Sequence, residues 1–240
     1  MPDIDLLIQE NGNLKELYQG KIIAFVHAKG NSTRVPSKNL RILGDKPLFC
    51  HAIVHALDAS MVDEVIIDSD DDEILRIGEE YGAVPLKRPK ELATNSITGD
   101  ELAYWQAANF PLSKIVLQVI PTAPFLCSES INLAIRMLLE NPGIESVAGV
   151  YEEALYTWTD GKPDYFKLDG SIPNSFEMKK TVYETTGLYV NYTDSVIRGR
   201  RRLNPECCMP FVLSKIESVD INTPEDFEFA EMIWKGKWGT

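Results

Sequence analysis

Apolar positions along the chain fall into short continuous runs that alternate with amphipathic stretches of helical period. Lys21 to His27 is an apolar run of strand length, as expected for a strand covered on both faces. A polar loop, Ala28 to Asn39, follows it, and then a helix from about Pro47 to Ala59. Glu64 to Asp68 reads as a second strand. Asp70 stands three residues before Glu73, the spacing of a capping box, and Ile74, Ile77 and Tyr81 continue at helical spacing. Lys114 to Val119 is a third strand, leading through Pro121 and Pro124 to a helix capped by Ser128, in which Ile131, Ala134, Ile135, Leu138 and Leu139 share one face. Ser146 to Tyr151 and Gly187 to Asn191 are further strands. The last helix opens with Thr223 as cap, Pro224 at its first position and acidic Glu225 and Asp226 in its first turn.

Strands alternating with helices predict parallel strands joined by right-handed crossovers, hence a doubly wound α/β sheet with helices on both faces. Ligands of such sheets collect beyond the carboxyl ends of the strands. One domain is expected over residues 1–240, with its core at 21–151 and 183–234 and an N-terminal extension at 1–20. Residues 152–182 break the rhythm, because Gly161, Pro163, Gly170 and Pro173 are scattered among aromatics; this excursion is expected to be a small β-rich dimerisation arm, making the protein a homodimer.

Composition narrows the function. With 24 Lys+Arg against 36 Asp+Glu, the formal charge of −12 repels polyanions and argues against a nucleic-acid partner. No apolar run reaches the ~20 residues of a membrane span, and the acidic N-terminus lacks the features of a signal peptide, so a cytoplasmic protein without a membrane partner is expected. Cys50, Cys127, Cys207 and Cys208 show no metal or redox spacing and read as reduced thiols.

Against that acidic background the loop Ala28 to Leu40 (AKGNSTRVPSKNL) stands out. It gathers Lys29, Arg34 and Lys38 with Ser32, Thr33 and Asn39, and Gly30 permits close approach of backbone N–H groups. Cations, hydroxyls and main-chain N–H groups together make a cradle for a polyphosphate; a solvated turn with scattered charges is the plain alternative. Neither the P-loop nor the dinucleotide fingerprint is present.

This loop resembles the signature of the sugar-acid cytidylyltransferases, the synthetases of CMP-sialic, CMP-pseudaminic and CMP-legionaminic acids. Ser32-Thr33-Arg34-Val35-Pro36 with Lys38 is similar to the loop of CMP-Kdo synthetases, and Lys38-Asn39 to the sialate-type ending. The resemblance extends over Asp68 to Ile74, Arg88-Pro89 with Glu91-Leu92-Ala93, Pro121 to Phe125, Thr186 to Tyr189 and Asp220 to Asp226. It implies a Rossmann-like nucleotidyltransferase fold and transfer of CMP from CTP to the anomeric hydroxyl of a 2-keto sugar acid. Lys29, Arg34 and Lys38 would then act on the phosphates, with Ala28, Gly30, Asn31, Ser32 and Thr33 completing the loop. Asn39, Arg88, Thr98 and Thr122 would lie near the substrates, and Asp220 with Asn222 would hold Mg²⁺.

The chain departs from the family at three places. Asn222 replaces the second metal carboxylate, Ile120 replaces a glutamine expected near the sugar, and Ser175-Phe176-Glu177 replaces the sialate enzymes' Arg-Arg-Gln stretch. His51 and His55, four apart on one helix, read as helix surface rather than zinc ligands. Asp68-Ser69-Asp70 is either a strand end with a helix cap or the metal motif of a nucleotide-sugar glycosyltransferase. Arg198 to Arg202 is either a solvated turn or a grip for an anion, and His27 either a packed strand end or a phosphate donor. A glycosyltransferase using Asp68 and Asp70, or a degenerate nucleotide-binding protein, are the competing functions.

Overall fold

The apolar run after Lys21 forms β1 (Ile22–His27), the strand around which the sheet is built. Its side chains alternate between two cores: Ala24 and Val26 pack on one face, Ile23 and Phe25 on the other. A computed structural model describes residues 2–8, 16–32, 35–168, 170 and 172–239. After β1 come a small hairpin of β2 (Ile42–Leu43) and β3 (Lys46–Pro47), then α1 (Leu48–Leu57), β4 (Glu64–Ser69), α2 (Asp72–Glu80) and β5 (Val84–Lys87). Next are α3 (Gly99–Asn109), β6 (Ile115–Val119), α4 (Ser128–Glu140), β7 (Ser146–Glu153) and a second hairpin of β8 (Trp158–Thr159) and β9 (Lys162–Pro163). The chain ends with β10 (Thr181–Tyr192), α5 (Thr193–Gly199), β11 (Cys208–Val212) and α6 (Pro224–Lys237).

Seven strands form one sheet in the order β11-β7-β10-β6-β1-β4-β5. β1 pairs in parallel with β4 and β6, β4 with β5, and β7 with β11, as the alternation of elements predicts. β10 departs from the expectation of an all-parallel sheet, running antiparallel to both β6 and β7. It is also far longer than the predicted Gly187–Asn191 segment, because its first half pairs with the end of β7 at the root of the excursion. A register shift between Glu184 and Tyr189, with Thr186 at φ +57°, bends this strand beside the site.

The predicted apolar face of α4 packs as expected: Ile131, Ala134, Ile135 and Leu138 are buried in the core shared with α1 and α2. On the opposite face, Trp105 and Phe110 of the α3 region pack with Phe25, Ile66 and Val116. A third cluster joins Leu43, Leu48, Phe125, Ile221 and Phe227, and so ties α6 to the sheet's carboxyl end. Thr223 caps α6 through a capping box with Asp226, with Pro224 in the first turn.

Two caps differ from expectation. Asp71, not Asp70, caps α2, accepting from the N–H groups of Glu73 and Ile74. Asp70 is drawn away from the helix because its Oδ1 accepts the Gly30 N–H at 3.0 Å. α4 begins at Ser128 with Cys127 in the cap position, and no side chain caps it.

Candidate active site

The crossover from β1 leads to β4 on one side, and the later crossover from β5 returns past β1 to β6 on the other, a reversal of direction that leaves a crevice at the carboxyl ends of β1 and β6. A cleft of about 280 Å³ occupies that crevice. Of the predicted residues, Lys29, Ser32, Lys38, Asn39, Arg88, Thr98 and Thr122 line it, together with His27. Ala28 is buried behind it, its N–H bonded to the carbonyl of Asp68 at 3.0 Å. Thr33 and Arg34 lie outside the described residues.

The loop is fastened at several points. Asn39 Nδ2 donates to the Lys29 carbonyl at 2.9 Å and Lys38 Nζ to the Ile221 carbonyl at 2.7 Å, while Lys29 Nζ donates to Asn95 Oδ1. Gly30 is required by crowding: a Cβ there would lie 2.6 Å from the Asp71 carboxylate. Asn31, by contrast, is exposed and outside the cleft lining. Asn95 carries little signal in the sequence, only a short polar run, Thr94 to Ser96, before α3.

Arg88 reaches the cleft from the end of β5 as half of a buried ion pair. Its Nε donates to Asp68 Oδ1 at 2.5 Å and its Nη2 to the Asp68 carbonyl at 3.0 Å. Gln106 donates to the other Asp68 oxygen, and Gln118 Nε2 to Gln106 Oε1 at 2.7 Å. Burial pushes the Asp68 carboxyl upward, and Arg88 and Gln106 oppose that push. Asp68, with none of its surface exposed, is therefore a structural anchor for Arg88 rather than an open metal ligand. This removes the geometric basis of the glycosyltransferase alternative.

His27 ends β1 at the cleft, and its Nδ1 is buried without a hydrogen-bond partner. Burial, then the charges of Arg88 and Arg202, push the imidazole down to about 3, so the ring is neutral near pH 7. Thr98 caps α3 in a capping box with Glu101, which commits its hydroxyl to building the helix end. His51 is buried, bonded to the Leu43 carbonyl at 2.9 Å and packed on Trp234. Among the described residues no cluster of His, Cys, Asp or Glu has the arrangement of a metal site.

Asp220 and Asn222 stand at the far wall. The intervening Ile221 is fixed from both sides, its carbonyl by Lys38 and its N–H by the Thr122 carbonyl at 2.9 Å. Asp220 Oδ2 accepts from the Thr186 hydroxyl at 3.3 Å and from Asn222 Nδ2. Asp220 Oδ1 is buried without a partner.

A cleft lined by Lys29 and Lys38 at the switch point of a doubly wound sheet is where the ligands of α/β enzymes bind. Residues 23–162 match the family described as cytidylyltransferase. The chain is 30% identical over 232 residues to the CMP-N,N'-diacetyllegionaminic acid synthase of Legionella pneumophila, covering 89% of this chain and 96% of that one. It is 25% identical to the pseudaminic acid cytidylyltransferase of Campylobacter jejuni, covering 90% and 97%. The fold matches that of a CMP:2-keto-3-deoxy-manno-octonic acid synthetase complexed with CTP, at TM-score 0.68 and 14% identity, over 91% of this chain and 100% of that one. The chain belongs to the cytidylyltransferase family.

Proposed function

We propose that the chain transfers CMP from CTP to the anomeric hydroxyl of a 2-keto sugar acid in the cytoplasm. The acceptor oxygen bonds to the α-phosphorus, the bond from that phosphorus to its bridging oxygen breaks, pyrophosphate leaves, and the acceptor proton is released. The observation that carries this reading is the convergence of Lys29 and Lys38, from one loop of an acidic protein, on a cleft at the sheet's switch point. Phosphoryl transfer asks a protein mainly for positioning and charge stabilisation, which a fastened cationic loop supplies. The acids in the names of the two relatives, N,N'-diacetyllegionaminic acid in its CMP-linked form and pseudaminic acid, support the acceptor class.

Mg²⁺ fits the Asp220 wall. The buried, unpartnered Oδ1 is a carboxylate oxygen suited to a hard cation, and Mg²⁺ manages with one or two carboxylates plus phosphates and water. Asn222, which donates to Asp220, would hold that carboxylate in place or lend its own oxygen. Bound there, the ion would offset charge on the phosphates. Asp220 itself orients the wall through Thr186 and Asn222.

CTP is expected to be preferred over ATP and GTP. A thermal-shift panel checks this, and equal stabilisation by ATP would reject the cytidylyl reading; release of pyrophosphate with a panel of 2-keto sugar acids then tests the reaction itself.

The excursion supports a homodimer. Tyr156, Trp158, Tyr165 and Phe176 are exposed on it, Phe176 at 82%, and none of the described residues of this segment is buried. Light scattering at micromolar concentration is expected to give twice the 27.0 kDa chain mass; a monomer would discard the assignment.

A further inference from the structure

Between Arg198, in the last turn of α5, and Arg202, the arginines at alternate positions are used differently. Arg198 pairs with Glu145 at 2.6 Å and Arg200 with Asp5, both on the surface. Arg202 turns inward. Its guanidinium lies 3.9 Å from the centroid of the buried Tyr189 ring and presses on the backbone of Gly99, where a Cβ would come within 2.5 Å of Nη1. The Arg202 main-chain N–H is held by Asp100 Oδ1 at 3.0 Å. The guanidinium is thus clamped between β10 and the first turn of α3, which lines the cleft through Thr98 and Gly99.

Clamped in this way, it is nevertheless unspent. Among the described residues, no acceptor forms a hydrogen bond with the Arg202 guanidinium, although such a group carries five donors suited to bidentate capture of a carboxylate. The nearest anion is Glu184 at 3.9 Å, too distant for a hydrogen bond. That same Glu184 oxygen accepts the Tyr189 hydroxyl. Tyr189 and Arg202 therefore already face one carboxylate, the chain's own, supplied by a partly exposed side chain able to swing away. Burial pushes the Tyr189 hydroxyl well above its ordinary value, so it remains a donor across the physiological range. The charge of Arg202 is felt at His27 on the cleft, and that of Asp220 at Tyr189.

We infer that Arg202 and the Tyr189 hydroxyl form the receptor for the acceptor's carboxylate, with Glu184 as an internal occupant that the substrate displaces. This rests on the sugar-acid reading above and identifies what recognises the acid. In a 2-keto sugar acid the carboxylate is one bond from the anomeric carbon. Fixing it at Arg202 therefore restricts where the attacking hydroxyl points, towards the wall where Thr186 holds Asp220.

The test titrates N-acetylneuraminic, pseudaminic and N,N'-diacetyllegionaminic acids calorimetrically into the full chain, with CTP titrated separately. Loss of charge-assisted hydrogen bonds predicts that Arg202→Ala weakens binding of the best acid by about 10- to 100-fold. Its CTP affinity should stay within about twofold, which also reports that the variant is folded, and Arg202→Lys should fall between. Glu184→Gln keeps an acceptor for Tyr189 but removes the competing charge, and is expected to tighten the acid about threefold or more. An acid bound equally by wild type and Arg202→Ala, or weakened by Glu184→Gln as much as by Arg202→Ala, overturns the receptor while leaving the cytidylyl reading intact. A wild-type chain that binds CTP but none of the acids overturns both the receptor and the acceptor class.

Discussion

Asp68→Asn is expected to lower the free energy of unfolding by about 3–5 kcal/mol, the usual cost of breaking a buried ion pair from one side. The carboxylate is fully buried, and Arg88 is only 4% exposed. Removing the negative charge leaves a nearly buried guanidinium without its counter-ion, and the amide that replaces the carboxylate can satisfy only part of the fork. Gln106, which donates to the second oxygen, would also meet a donor where it now meets an acceptor unless the new amide is turned. Urea unfolding measures the effect as a shift of the midpoint at constant slope. Combining Asp68→Asn with Arg88→Met is expected to cost less than the sum of the two single changes, because the second removes the stranded charge. A midpoint unchanged in Asp68→Asn would show that the pair is hydrated in solution and that Arg88 is not held by it.

This pair also shows where sequence reasoning reached its limit. Asp68-Ser69-Asp70 offered two readings, a metal motif or a strand end with a cap, and spacing alone does not report burial. The deciding fact, that Asp68 meets Arg88 from the next strand and Gln106 from α3, depends on tertiary pairings between segments far apart in the chain. α3 is hidden in the sequence for a related reason. Leu102 through Ala107 are all buried, so the helix has no polar stripe and no clear period. Its one local signal is the capping box of Thr98 with Glu101 three residues later.

What was legible had strong local causes. The apolar run of β1, the amphipathic face of α4 and the Thr223-Pro224 start of α6 are each fixed by a handful of neighbouring residues. The loop was legible because cations are conspicuous in an acidic chain. Arg202 was not: it reads as one charge in a basic run, and only packing separates it from Arg198 and Arg200. The antiparallel direction of β10 was equally hidden, since the reversal is set by the excursion between β7 and β10 and not by any residue within the strand.

Asp220→Asn is expected to lower kcat by on the order of 10²-fold or more, the scale of losing a single charge contact made in the transition state. The case rests on one oxygen. Oδ2 of Asp220 is occupied by Thr186 and Asn222, whereas Oδ1 is buried and without a partner, a state that costs free energy unless something in the working enzyme meets it. A carboxylate joined through Ile221 to both Lys38 and Thr122 is well placed to serve the phosphates at that end of the cleft. The asparagine keeps the shape and an acceptor for Thr186, so far-ultraviolet circular dichroism and the urea midpoint should change little while turnover falls. Asn222→Asp gives an independent check, because it replaces the donor to Asp220 with a second negative charge. Without a cation the two carboxylates repel, and the thermal midpoint should drop; added Mg²⁺ should restore it. Turnover of Asp220→Asn at the wild-type rate across a Mg²⁺ titration, with an acid that the wild type uses, would remove Asp220 from the reaction and leave its buried oxygen as a feature of the fold alone.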